Sequence, residues 1–102
     1  MEGAKRETIA VTHNVAASRF EAQAAGLLAI AEYRLGPGTV TFTHTRVPDQ
    51  LAGRGIATQL IEAGLTMARE RNLRVIPQCS FVAAYMRKHP DVQDLLDLRN
   101  PH

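Results

Sequence analysis

The chain has no tryptophan, a single cysteine, Cys79, and only 5% aromatic residues. One cysteine excludes an internal disulfide, and without paired histidines beside it a zinc site of the usual ligand spacing is excluded as well, so no metal is expected. No apolar run approaches the ~20 residues of a membrane-spanning helix, which excludes a membrane partner of that kind. Met1-Glu2-Gly3-Ala4-Lys5-Arg6 carries basic residues with no apolar segment behind them, so the reading is no leader peptide and a cytoplasmic location. Charge of one sign is scarce too. The net charge of +2 is scattered with no basic run, which argues against a nucleic-acid partner and fits a small anionic ligand.

What is present is ordinary for a globular chain: 102 residues, 45% hydrophobic and 22% charged, enough for one core and one domain over residues 1–102. Glu7 to Val15 alternates Ile9, Val11 and His13 against Thr8, Ala10 and Thr12, a first strand. After the short connection Asn14 to Ser18, Phe20, Ala22 and Ala24 alternate with Arg19, Glu21 and Gln23, a second. Leu28 to Leu35 and Thr39 to Arg46 flank Gly36-Pro37-Gly38 and read as a hairpin, with Thr39, Thr41, Thr43 and Thr45 on one side and Val40, Phe42, His44 and Arg46 on the other. From Arg54 to Arg71 the period becomes helical, Asn72 reads as a left-handed cap, and Leu73 to Pro77 is a strand stopped by its proline. Cys79 to Lys88 is a second helix, ended by His89-Pro90. Val92, Leu95, Leu96 and Leu98 suggest a last short helix that packs back.

The centre of this order is Gln50-Leu51-Ala52-Gly53-Arg54-Gly55-Ile56-Ala57. It joins strand to helix through two glycines that leave backbone N–H groups uncovered just where a helix supplies further unpaired donors and the positive end of its dipole. Such a loop cradles an anion. Taken alone, the same glycines also suit a tight turn that needs them only for dihedrals. A P-loop is excluded because no Lys-Ser or Lys-Thr follows, and Thr58 stands where a dinucleotide fingerprint needs its third glycine. A helix-turn-helix over Leu51 to Leu65 fails because a strand, not a recognition helix, comes next.

Gln50-x-x-Gly53-x-Gly55 followed by Ile56-Ala57 resembles the acyl-CoA pyrophosphate loop of the general-control-related N-acetyltransferases. His44-Thr45-Arg46-Val47-Pro48, Val75 to Val82 and Tyr85 to Pro90 further resemble a subgroup of single domains of about this length, found in bacteria, plants and animals. The resemblance implies an α/β (α+β) fold in reduced form: N-terminal antiparallel strands, a parallel right-handed β-α-β acyl-CoA-binding unit from Val40 to Pro77, then one or two short helices. It implies acetyl-CoA as a substrate, bound by Val47, Gln50, Leu51, Ala52, Gly53, Arg54, Gly55, Ile56 and Ala57 with Lys88 on a phosphate, and an amine as acceptor.

The topology brings His44, the glycine loop and Cys79 to one sheet edge. A lone strand histidine more often bonds a neighbouring carbonyl than catalyses, and a lone cysteine more often packs. In the resembled subgroup the matching histidine and cysteine are candidate active-site residues, so His44 becomes a candidate base. Cys79, at a helix start beside Ser80, becomes an accessible, activated thiol. Tyr85, otherwise a core aromatic one turn beyond Phe81, is a candidate acid for the departing thiolate. Two routes fit: direct attack of the amine on acetyl-CoA, with the Val47 N–H polarising the carbonyl, or passage of the acetyl group through Cys79. Most superfamily members wall the acceptor site with helices between their first and second strands, whereas here five residues separate the two. An open acceptor side favours a protein or peptide amine, in a monomer or weak homodimer, and leaves room for weak activity. The rival class is a non-catalytic CoA-binding module.

Overall fold

A computed structural model describes residues 9–98. Five strands form one sheet in the order of the chain, β1 (Val11–Asn14), β2 (Arg19–Ala24), β3 (Leu27–Gly36), β4 (Thr39–Arg46) and β5 (Arg74–Pro77). The first four pair antiparallel, and β5 joins β4 parallel after the helix α1 (Ile56–Glu70). A second helix α2 (Ser80–Lys88) and a 3-10 helix over Pro90–Leu95 follow. This is the mixed-sheet α+β architecture that the sequence implied. The first strand is shorter than its alternation suggested: it begins at Val11, while Glu7 and Thr8 lie outside the described residues.

Turn chemistry sets the strand order. Between β2 and β3, Ala24 pairs with Leu27, and the two residues between them, Ala25 and Gly26, both take positive φ (53° and 74°). That is the dihedral pattern of a primed two-residue hairpin, with alanine in a place that suits asparagine or glycine better. Between β3 and β4, Pro37 leads into Gly38 at φ 70°. Asn14 and Arg19 close the β1–β2 turn, where the Asn14 side-chain oxygen accepts the Ala17 N–H at 3.1 Å. No helix intervenes between these two strands.

The core lies on one face of the sheet. Phe20, Ala22, Ala29, Ala31, Tyr33, Val40, Phe42 and Val75 supply the strand side, and Ile56, Leu60, Ile61, Leu65, Ala68, Val82 and Met86 the helix side. Gly64 lets α1 sit close: a Cβ there would stand 2.6 Å from Phe42 Cε1. Asn72, at φ 56°, caps α1 in the left-handed conformation as expected, and the Leu73 N–H reaches back to the Ala68 carbonyl at 2.8 Å. The chain is thereby turned directly into β5. The C-terminal part packs back, with Leu95 buried, Leu96 bridged to Val75, and the Arg69 guanidinium on both Asp94 carboxylate oxygens at 3.0 Å.

One irregularity in β4 positions the site. Tyr33 pairs with Phe42, but Glu32 pairs with His44, so Thr43 is an extra residue in a β-bulge. Its hydroxyl donates to the Glu32 carbonyl at 3.3 Å. Residues directly opposite share a face, and the bulge reverses the alternation beyond it. The expectation that His44 shares the side of Val40 and Phe42 is therefore corrected. Thr45, opposite Ala31, takes the helix side, and His44, opposite Glu32, faces the other way.

Candidate active site

The parallel pairing of β4 with β5 ends at Phe42 and Pro77. The Cys79 N–H closes the junction on the Phe42 carbonyl at 2.9 Å, and from there β4 continues without β5 beside it. Next to this splay the chain runs through a 3-10 turn, Asp49–Leu51, into the glycine loop. Gly53 and Gly55 both adopt the left-handed conformation, at φ 83° and 76°. An L-residue there costs roughly 1–2 kcal/mol, so glycine is needed at both positions for the backbone alone. Gly55 is the N-cap of α1, with no side-chain cap, and the first turn of the ladder is the Gln59 N–H on the Gly55 carbonyl at 3.2 Å. The N–H groups of Ile56, Ala57 and Thr58 precede that bond and have no helix carbonyl to meet. They are the donors a pyrophosphate would take.

An open cleft of about 520 Å³ runs along this edge. The loop forms one wall through Leu51, Ala52, Gly53, Gly55, Ile56, Ala57 and Thr58, and the end of β4 contributes Thr45, Arg46 and Val47. Phe81, 53% exposed in the first turn of α2, stands at its rim. The expected cofactor residues Val47, Leu51, Ala52, Gly53, Gly55, Ile56 and Ala57 thus come together. Gln50 and Arg54 sit in the loop without lining the cleft. Lys88 is not among the residues that line it; it is the last residue of α2, seven residues or about 10 Å of helix rise beyond Phe81.

Cys79 is 7% exposed, and its thiol donates to Thr45 Oγ1 at 3.3 Å. The expectation of an accessible thiol is corrected, because α2 starts against the core and packs its N-cap inward. Nor does the thiol meet His44. The imidazole projects from the opposite face, 69% exposed, with Nδ1 at 3.7 Å from Glu32 Oε1. The bulge separates them. Tyr85 lies elsewhere again: its hydroxyl donates to Glu62 Oε2 at 3.1 Å, its ring stacks on His89 at 3.8 Å, and it lines a cleft of about 770 Å³ between α1, α2 and the last 3-10 helix. Among the described residues no group of three or more His, Cys, Asp or Glu side chains could hold a metal ion.

Sequence reasoning missed Thr45, Thr58, Phe81 and Glu32. For Phe81 a signal existed, since Val82 and Met86 form the buried stripe of α2 and leave Phe81, one position earlier, on an exposed one. Thr45 and Glu32 depend on the bulge, which has no signature in composition.

A mixed sheet splayed after its parallel pair, with a two-glycine loop opening the crossover helix, places the chain in the class of α+β domains whose ligand edge lies at the start of that helix. A family model described as GCN5-related N-acetyl-transferase matches residues 19–95, and the chain belongs to that family. The NMR solution structure of a GCN5-like protein from Staphylococcus aureus superimposes with a TM-score of 0.64 at 31% identity, covering 83% of this chain and 89% of that one. Protein NATD1 of Gallus gallus is 35% identical over 65 residues (64% of this chain, 59% of the relative), and protein NATD1 of Homo sapiens 36% over 56 residues (55% and 50%). The chain thus spans between half and three fifths of the length of these curated relatives.

Proposed function

We propose that the protein transfers an acetyl group from acetyl-CoA to an amine by direct attack, with a protein or peptide amine as the acceptor. The observation that carries this reading is the pair of left-handed glycines opening α1 beside the splay of β4 from β5. The amine nitrogen bonds to the thioester carbonyl carbon, the carbon–sulfur bond breaks, and CoA leaves as thiolate. A thiol with a pKa of about 8.5 is a competent leaving group without prior protonation, so Tyr85 is not needed as the acid. The proton released by the amine passes to His44, directly or through water, and the product is an amide. Burial of Cys79 against Thr45, on the face opposite His44, favours this route over one through sulfur. The short β1–β2 turn leaves the His44 side open to an acceptor as large as a polypeptide.

The test is calorimetry with CoA, together with release of CoA thiol from acetyl-CoA in the presence of peptides bearing free amines. Gly55→Asn keeps a residue that tolerates the left-handed conformation but adds a side chain that competes for the first-turn donors. It should remain folded and lose CoA affinity at least tenfold. Unchanged affinity would sink the cradle, and tight CoA binding with no transfer to any amine would leave a binding module.

A further inference from the structure

We propose that Thr45 is a catalytic hydrogen-bond donor of the transfer step, its hydroxyl meeting the thioester sulfur as the carbon–sulfur bond breaks. The inference rests on the acetyl-transfer reading above and supplies a donor in the place that Tyr85, which lines a different cleft, does not occupy. It starts from the splay. Parallel pairing of β4 with β5 ends at Phe42 and Pro77. Three residues beyond Phe42 the bulge has put Thr45 on the helix side, and there it meets Cys79, two residues beyond Pro77. Thr45 is half-buried between two environments: the thiol on one side of it belongs to the core, and the cleft walled by the glycine loop lies on the other.

That contact decides what the hydroxyl can offer. A threonine oxygen carries one proton and two lone pairs. The buried Cys79 thiol donates to it at 3.3 Å and occupies one lone pair, so the hydroxyl proton is turned away from the thiol. Among the described residues Thr45 Oγ1 donates to no protein group, which leaves its proton for a ligand in the cleft. Negative charge builds on the sulfur only as the bond breaks. A hydrogen bond to that atom is therefore stronger in the transition state than to the neutral thioester, and such a difference accelerates transfer. The amine nitrogen bonds to the carbonyl carbon, the electron pair of the carbon–sulfur bond leaves on sulfur, and the Thr45 proton stays on Oγ1 throughout.

The test reads the thiol pKa of CoA bound to the protein, from thiolate absorbance in the ultraviolet, for the wild type and for Thr45→Val. Valine keeps the branched shape and leaves only the weak S–H donor of Cys79 without its partner, and an unchanged amide spectrum away from the cleft checks the fold. A hydrogen bond donated to the charged form lowers a pKa, so its loss should raise that of the bound thiol by about one pH unit. Turnover at saturating acetyl-CoA should fall roughly tenfold or more while CoA affinity at neutral pH stays within about threefold, and Thr45→Ser should recover most of the turnover. A bound-thiol pKa that ignores Thr45→Val overturns the proposal, as does turnover that holds in that variant or falls equally in Thr45→Ser. A wild type that binds no CoA, or binds it and transfers nothing to amines, refutes the acetyl-transfer reading before any variant is made, and the role of Thr45 falls with it.

Discussion

Replacing Gly64 by alanine should destabilise the protein although it improves the helix. In an exposed helix interior the change gains about 0.8–1.0 kcal/mol of propensity. Here the new methyl would meet Phe42 Cε1 at 2.6 Å and Cζ at 2.8 Å, with Phe20 Cε1 behind at 3.7 Å. The Phe42 ring cannot swing away, because it is 1% exposed and set edge-on to Tyr33 at 6.3 Å. Relief must come from α1 moving off the sheet. Overpacking of this kind costs typically ~1–3 kcal/mol, so the net should be a loss centred on about 1 kcal/mol, with each kcal/mol worth roughly 4–8 °C of Tm in a domain of this size. The strain also reaches the site, since Phe42 forms the last β4–β5 pair and accepts the Cys79 N–H. Thermal unfolding by circular dichroism measures the first effect, and the Cys79 amide shift the second. Adding Phe42→Leu should recover part of the loss, because it removes the atoms in contact. A Tm equal to or above that of the wild type would refute the reasoning and mean that α1 lies farther from Phe42.

Ala25 occupies a left-handed turn position at φ 53°, so Ala25→Gly or Ala25→Asn should raise stability by about 1 kcal/mol in a denaturation curve; a decrease would contradict the primed turn. Burial, and secondarily Arg71, hold the His13 pKa below 6.5, while its Nε2 lies 2.6 Å from the Tyr33 hydroxyl and its ring stacks on Phe20. The unfolded chain takes up the proton first, so this contribution is present above pH 6.5 and is lost as pH falls toward and through the folded value; Tm should drop between pH 7.5 and 5, and His13→Gln should flatten that drop. For the chemistry, Cys79→Ala should keep acetyl transfer while His44→Ala loses ~10²-fold or more. An acetyl group found by mass spectrometry on Cys79 and chased onto added amine would reverse that assignment.

The crossover unit was the most legible part of the sequence because three independent signals agree there. Alternation marks β4, two glycines mark the loop, and a period near 3.6 marks α1. Elements with a single signal came out less well. Among the described residues the first strand starts at Val11, with Ile9 and Ala10 outside it, and Val15 lies in the turn. At the site, what a residue type and spacing can fix is which edge a side chain reaches. What they cannot fix is which face it takes after a bulge, nor how a helix is rotated on the sheet. Thr43 looks like any threonine in a run of alternating threonines, yet it decides that Thr45, not His44, meets Cys79. Tyr85 follows Phe81 by one turn on α2, and only the docking of that helix against Glu62 of α1 shows that the two line different clefts.

The bulge also sets the width of the splay, and a deletion can separate that effect from the facing of His44. Removing Thr43 leaves Phe42 opposite Tyr33, His44 opposite Glu32 and Thr45 opposite Ala31, now in unbroken alternation, so every side chain keeps its face. What changes is the path. The strand loses the bend and extra twist of a bulge, so the segment from His44 onward leaves the paired part of the sheet at a different angle. That changes how Thr45 to Val47 and the glycine loop stand to the end of β5, and with it the shape of the cleft they line. The deletion variant should therefore fold, keep His44 on the face away from the helices, and bind CoA more weakly than the wild type. Retained affinity would mean that the glycine loop alone holds the ligand and that the bulge serves only to turn His44 outward.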